Sequence, residues 1–197
     1  MLMGSALILA GGHSARMGYD KKHLMLGGVS VLESLIGKLA ALFEEVYVSA
    51  NDGFIHPRAR TLGDEIGVGP LAGIHRGLSV CGSDYLYVTA CDMPILSPGY
   101  IRYMQEIIAG GGPVDACVAR RNDGYYQPFN AFYHKSARPF IDRAIRLDRY
   151  GLNRLLDQMK LHVVEQTVTD RYAGGNLFFN INRKEDLRLA ETWGTLL

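Results

Sequence analysis

Two adjacent glycines, an arginine and two lysines share one short stretch, LILAGGHSARMGYDKKHLML, from Leu7 to Leu26. A glycine has no Cβ, so its backbone can take positive φ and bring N–H groups close to a phosphate. Gly11 and Gly12 are candidates for such a cradle. Arg16 offers a planar guanidinium for phosphate oxygens, and Lys21 or Lys22 offers a point charge. The two familiar phosphate motifs, GxxxxGK[ST] and GxGxxG, do not occur here. The same residues also describe an ordinary glycine turn with solvated basic side chains. His13, in the same loop, reads as an exposed histidine rather than a base.

Three other places could share the chemistry. Asp92, in TACDMP, follows an apolar run. An acid there can bind Mg²⁺, which neutralises phosphate charge and stabilises charge that develops in a transition state. It also reads as an aspartate opening a turn before Pro94. Asp64, in GDEIGVGPLAG, precedes a Gly-Pro-Leu-Ala-Gly turn whose backbone could grip a base edge or simply start a helix. Asn180 and Asn182 lie two apart in FFNIN, and an extended segment puts both side chains on one side. Paired amides suit polar ligand groups or metal-bound water, and equally suit turn capping.

The elements that must position these residues follow from periodicity. Ser5–Ala10, Glu45–Ala50, Tyr85–Asp92 and Asp115–Arg120 read as strands, RARTLG as a further one, and HVVEQTV as a late one. Apolar residues at helical spacing predict helices over about 30–43, 136–147 and 151–159, with a last one over about 183–193. Pro70 suits the first turn of a helix, and Ser97-Pro98 supplies an N-cap and N1 pair for another. YYQPFNAFY reads as extended after the turn NDG, and the region from about 113 to 135 is expected to add antiparallel strands. Strand–helix alternation predicts a mostly parallel sheet within three α/β/α layers. One domain over residues 1–197 is the simplest organisation.

Bulk properties narrow the class. The chain has 197 residues, 48% of them apolar, enough for a full core. Lys and Arg number 21 against 20 Asp and Glu. There is no global basic field to argue for nucleic acid, so an anionic ligand must be met by local charge. Cys81, Cys91 and Cys117 have no CxxC spacing, which disfavours both a disulfide framework and a zinc site and points to a reducing, cytoplasmic setting. The N-terminal stretch lacks the basic flank of a signal peptide, and no run approaches the ~20 apolar residues of a membrane span.

Read together, these stretches resemble a known family. LAGGHSARMGYDK resembles the LAGGxSxRMGxDK signature of the molybdenum cofactor guanylyltransferases, the molybdopterin-guanine dinucleotide biosynthesis protein A family of the nucleotidyltransferase superfamily. GPLAG, CDMP, QPFNAFY and FFNINRKEDL look like its later blocks, in the same order, so the likeness runs from about residue 7 to 187. The resemblance implies a Rossmann-like sheet and an enzyme that uses GTP and Mg²⁺. A terminal phosphate of molybdenum-bearing molybdopterin would attack the α-phosphorus of GTP, with pyrophosphate leaving. It implies nucleotide contacts at Leu9, Ala10, Gly11, Gly12, Lys21, Ser49, Asn51, Asp64 and Asp92, and an arginine at the phosphates in Arg16. Asp92 matches the metal-binding acid, and Asn180 and Asn182 match a pair near the metal or the pterin. Arg16, Lys21 and Asp92 are therefore the expected catalytic set.

There are two departures. Ser49 stands where the family often has asparagine, and Asn182-Arg183-Lys184-Glu185 replaces Asn-Thr-Pro-Glu. The resemblance also implies transient contacts with proteins that deliver molybdopterin or mature molybdoenzymes, and no nucleic acid or membrane. Two other readings remain. One is a cytidylyltransferase or other small nucleotidyltransferase; the second is a non-catalytic nucleotide-binding protein on the same fold.

Overall fold

The computed structural model describes residues 3–11, 23–51, 53–63, 67 and 69–193. Strands β1 (Met3–Leu9), β4 (Phe43–Ser49), β5 (Arg60–Leu62), β6 (Tyr85–Ala90), β7 (Ala116–Arg120), β8 (Tyr126–His134) and β9 (Leu161–Glu165) form one sheet. Its order is β5-β4-β1-β6-β8-β7-β9. Pairing is parallel for β4 with β5, β1 with β4, β1 with β6 and β7 with β9. β8 runs antiparallel to both neighbours, β6 and β7. The other strands therefore all point their carboxyl ends to one edge of the sheet.

Helices cover both faces. Helix α1 (Val31–Ala40) and α3 (Pro98–Gly111) bury Leu35, Ile36, Tyr100 and Met104 on one face. Helix α2 (Pro70–Val80), α4 (Arg138–Arg146) and α5 (Leu152–Leu156) bury Leu71, Ile74, Ile141 and Leu156 on the other. This is the three-layer α/β/α arrangement the alternation predicts. Local signals fix the helix starts. The Ser30 hydroxyl accepts the Glu33 amide at α1, and Ser97 accepts the Tyr100 amide at α3, with Pro98 at N1. Gly69 precedes α2 at φ 71°, a region that L side chains rarely adopt.

Close packing of α2 rests on two glycines four apart, which share one helix face. A Cβ at Gly77 would lie 2.7 Å from Leu86 Cδ2, and one at Gly73 2.5 Å from Leu9 Cδ2. Bare backbone is what lets this helix lie against β1, β4 and β6.

The structure departs from the periodicity reading in two places. The late strand stops at Glu165, and Gln166–Thr169 forms a short helix, α6. β9 pairs with β7 only as far as Arg120↔Glu165, where β7 itself ends, so the next residues have no ladder to join. A hairpin of β2 (Met25–Leu26) and β3 (Val29–Ser30) precedes α1, which the periodicity did not disclose. The last helix, α7, covers Lys184–Glu191, inside the expected range. Its first turn is closed by Asp186, whose carboxylate accepts the amides of Asn182 and Arg183 at 2.8 Å. All three cysteines are free and buried, and burial pushes the Cys117 thiol up to about 12. No helix among the described residues is long and apolar enough to cross a membrane.

Candidate functional site

In an open parallel sheet, ligands bind beyond the carboxyl ends of the strands, where the connections diverge to opposite faces. That point here is β1. The chain leaves β1 through α1 to β4 and β5 on one side, then returns through α2 to β6 on the other. Ala10 and Gly11, which follow β1, and the turn after β6 therefore lie at the same edge of the sheet.

The end of β1 is fastened on both flanks. The Ala10 amide donates to the Ser49 carbonyl at 3.0 Å, and the Cys91 amide donates to the Leu9 carbonyl at 3.0 Å. Leu9, Ala10, Ser49 and Asp92 are all buried, and Gly11 emerges exposed. Cys91 packs into the core, as expected, and Asp92 follows it, buried, in the turn after β6. Asn51 is exposed past the end of β4, where the Ala50 amide bonds the Leu62 carbonyl at 3.1 Å.

Two expectations are corrected here. Gly11 does not take a positive φ, and a Cβ there would meet only the Ser49 carbonyl, at 3.8 Å. Its small size leaves the strand end open instead of permitting a special turn. Asn180 and Asn182 do not lie on a strand. They flank Ile181, which is fully buried and whose amide donates to the Asp92 carbonyl at 2.8 Å. Asn180 is half-buried and gives its Nδ2 to the Phe178 carbonyl at 3.2 Å, while Asn182 is exposed beside the start of α7. The pair is thus brought to the Asp92 turn by the residue between them. Ser49 turns its side chain towards α2, since a Cβ on Gly73 would lie 2.9 Å from its Oγ. Gly12, Arg16, Lys21 and Asp64 lie outside the described residues.

One residue of the site was missed by motif reading. Asn130 is fully buried on β8 with a left-handed backbone, φ 51°. Its Oδ1 accepts the Tyr87 hydroxyl at 3.0 Å and the Thr89 hydroxyl at 2.8 Å. Its Nδ2 donates to the Leu177 carbonyl at 2.8 Å. A bulge places it there. Between Cys117↔Phe132 and Ala119↔Gln127, β7 advances two residues while β8 advances five. The signal was present as Pro128, since proline inside a strand pattern marks an edge or a bulge.

Beyond the bulge, β8 no longer pairs with β6, and a cleft of about 260 Å³ opens at the carboxyl edge. Arg120, Gln127, Asn176, Phe178 and Phe179 are among its walls. Phe178 is three residues from Ile181, so at most about 11 Å of chain separates the cleft from the residue bonded to Asp92. A larger cleft, about 420 Å³, lies at the β2–β3 hairpin between Leu26, Val29 and Pro94. Among the described residues, Glu191 is its one ionisable wall residue.

A mostly parallel sheet whose connections diverge at β1, with Gly11 and the buried Asp92 at its carboxyl edge, is the frame of a nucleotide-binding α/β protein. Comparison with known proteins specifies it. Residues 6–163 match the model of the MobA-like NTP transferase domain, and the chain belongs to that family. It is 37% identical over 197 residues to the molybdenum cofactor guanylyltransferase of Syntrophotalea carbinolica, covering 98% of this chain and 91% of that one. It is 35% identical over 195 residues to a probable molybdenum cofactor guanylyltransferase of Peptoclostridium acidaminophilum, covering 95% and 88%. Among solved structures, it is similar to molybdopterin-guanine dinucleotide biosynthesis protein A of Archaeoglobus fulgidus. There the TM-score is 0.83 at 24% identity, with 98% of this chain and 100% of that one covered. The fold is shared with 2-C-methyl-D-erythritol 4-phosphate cytidylyltransferase of Thermus thermophilus, at TM-score 0.71 and 20% identity over 99% and 100% of the two chains.

Proposed function

We propose that the protein is a molybdenum cofactor guanylyltransferase that transfers GMP from GTP to molybdenum-bearing molybdopterin, as a single cytoplasmic domain over residues 1–197. The observation that carries this reading is Asp92, buried at the crevice and bonded through its carbonyl to the late block that holds Asn180 and Asn182. Relatives named for this activity, alike over nearly the whole chain, supply the choice of substrates.

The reaction joins two polyanions. A phosphate oxygen of molybdopterin forms a bond to the α-phosphorus of GTP, and the bond to the β-phosphate oxygen breaks. The attacking oxygen is already anionic, so positioning and electrostatics carry the catalysis and no strong base is required. In this reading Leu9 to Gly12 offer backbone to the nucleotide, with Ser49, Asn51 and Asp64 on the nucleotide side. Arg16 and Lys21 fix the phosphates. Asn180 and Asn182 face the pterin substrate, and the cleft walled by Gln127, Asn176 and Phe178 takes its ring.

Among the described residues, no group of three or more His, Cys, Asp or Glu converges as a metal cage. Mg²⁺ keeps several waters and binds through one or two carboxylates plus substrate phosphates, so a single protein acid can serve it. Asp92 would hold it, and the ion would neutralise phosphate charge as pyrophosphate departs.

The test is pyrophosphate release and GMP incorporation with GTP, Mg²⁺ and molybdopterin, with CTP in parallel. Incorporation from CTP but not GTP overturns the guanylyl assignment. GTP binding with no pyrophosphate release favours the non-catalytic reading instead. Lys21→Ala is expected to raise the GTP KM by roughly tenfold or more, the loss of a charge-assisted contact worth about 1.5–3 kcal/mol. An unchanged nucleotide dependence removes Lys21 from that role.

A further inference from the structure

We propose that Asn130 is a positioning residue for the transfer reaction: it clamps the 177–182 segment against the turn that carries Asp92. The proposal rests on the functional reading above for the reaction, but the clamp itself is a matter of geometry.

Three facts build it. The first is the orientation of the amide. The Leu177 carbonyl can only accept, so the atom facing it at 2.8 Å must be Nδ2, and Oδ1 is left to accept the hydroxyls of Tyr87 and Thr89. Both hydroxyls lie on β6, the strand that ends at the Asp92 turn. The second is the chain of contact. Leu177 is tied to β6 through Asn130, and Ile181 is tied to the Asp92 carbonyl. The segment holding Asn180 is therefore pinned at both ends to the two places that frame the metal acid. The third is the backbone. Asn130 sits at φ 51° inside a bulge of three extra residues, and bulges beside active sites serve to re-aim a side chain. Asparagine tolerates that φ better than most residues. Without the bulge, the side chain at this position would follow the ordinary alternation of the strand.

The side chain is wholly enclosed, so it does not touch substrate. Its influence passes through Leu177 and Ile181 to the placement of Asn180 and Asn182 around Asp92. Displacement of a positioned group by about 1 Å can lower turnover by about a hundredfold. The effect falls on kcat. The GTP KM is spared, because the nucleotide is held by the β1 loop on the far side of β6.

Asn130→Asp keeps shape, backbone preference and the acceptor for both hydroxyls, and removes the donor to Leu177 when ionised. Asn130→Gly also suits φ 51° and removes the amide entirely. Tyr87→Phe deletes one hydroxyl and leaves the Leu177 bond in place. Hydrogen exchange of the Ile181 amide and steady-state kinetics are read on all three, above neutral pH and below each thermal midpoint. The expected result is faster Ile181 exchange and a kcat lower by about tenfold or more in Asn130→Asp, with the GTP KM unchanged. Tyr87→Phe is expected to keep both properties even where its thermal midpoint falls. Should Asn130→Asp fail to fold, Asn130→Gly carries the same comparison. Wild-type Ile181 exchange in the Asn130 variants overturns the clamp. So does a loss of kcat in Tyr87→Phe that matches its loss of stability. Absence of guanylyl transfer in the wild-type protein overturns the functional reading alone, and the exchange measurement still decides the clamp.

Discussion

Asp92→Asn is expected to lower kcat for guanylyl transfer by about a thousandfold while the thermal midpoint stays close to that of the parent. The two side chains have the same size, and the Ile181 bond survives, because it is made to the backbone carbonyl of Asp92. What changes is the charge at the phosphates and the ability to ligate a hard cation. Metal stabilisation of developing phosphoryl charge is worth several kcal/mol, and each 1.36 kcal/mol is tenfold in rate. Single-turnover pyrophosphate release at saturating GTP and Mg²⁺ measures it. Turnover near that of the parent removes Asp92 from the metal role. A collapse of the thermal midpoint with turnover retained in the cold assigns it a structural one.

Gly73→Val is expected to lower both stability and nucleotide affinity, and Gly73→Ala to lower stability less, by up to about 2 kcal/mol. The new Cβ would press on Leu9 Cδ2 at 2.5 Å and Ser49 Oγ at 2.9 Å. For alanine, helix propensity returns up to about 1 kcal/mol against an overpacking cost of about 1–3 kcal/mol. Valine adds two more carbons at the same point and is β-branched, so the propensity gain vanishes and the strain does not. A net cost of about 2–3 kcal/mol corresponds to a thermal midpoint roughly 5–10 °C lower for a chain of this size. The displaced neighbours are the last residues of β1 and β4, at the edge of the nucleotide crevice. GTP binding is expected to weaken by about tenfold, about 1.4 kcal/mol. Differential scanning calorimetry and calorimetric titration with GTP read the two effects. A valine variant that matches the parent in both shows that α2 can move away without disturbing the crevice.

Much of this architecture was legible because each strand and helix carries its own period. The runs ending at Leu9, Ser49 and Ala90 are buried on both faces, as central parallel strands are. Ser97-Pro98 and Gly69-Pro70 mark helix starts by capping and φ alone. Asp92 was legible because the strand period puts it at the carboxyl end of a buried strand and the CDMP block matches the family's acid there, although position alone also allowed a turn aspartate. Asn130 was not, because nothing local says which way a bulged side chain turns. Its partners Tyr87, Thr89 and Leu177 are 43, 41 and 47 residues away. The insertion of β8 between β6 and β7 was hidden for the same reason: antiparallel character is readable from a turn, but strand order is a long-range property. Asn180 and Asn182 were recognisable as a pair. That Ile181, between them, makes the decisive contact depends on where Asp92's carbonyl lies, which no spacing rule supplies.

The central place of β1 also shapes how the chain is made. Leu7 pairs with Tyr47 on one side and with Val88 on the other, so the second partner emerges from the ribosome 81 residues after the strand itself. Until then Ala6, Leu7 and Ile8, all fully buried at the end, present an apolar edge with one ladder unmade. Closing so long a loop in a parallel register is slow, and unpaired edges of this kind are where nascent chains associate wrongly. A fragment that stops short of Tyr85 would contain the whole glycine loop and none of the strand that finishes its support. The central position of β1 thereby leaves it paired on one side only until β6 has been made.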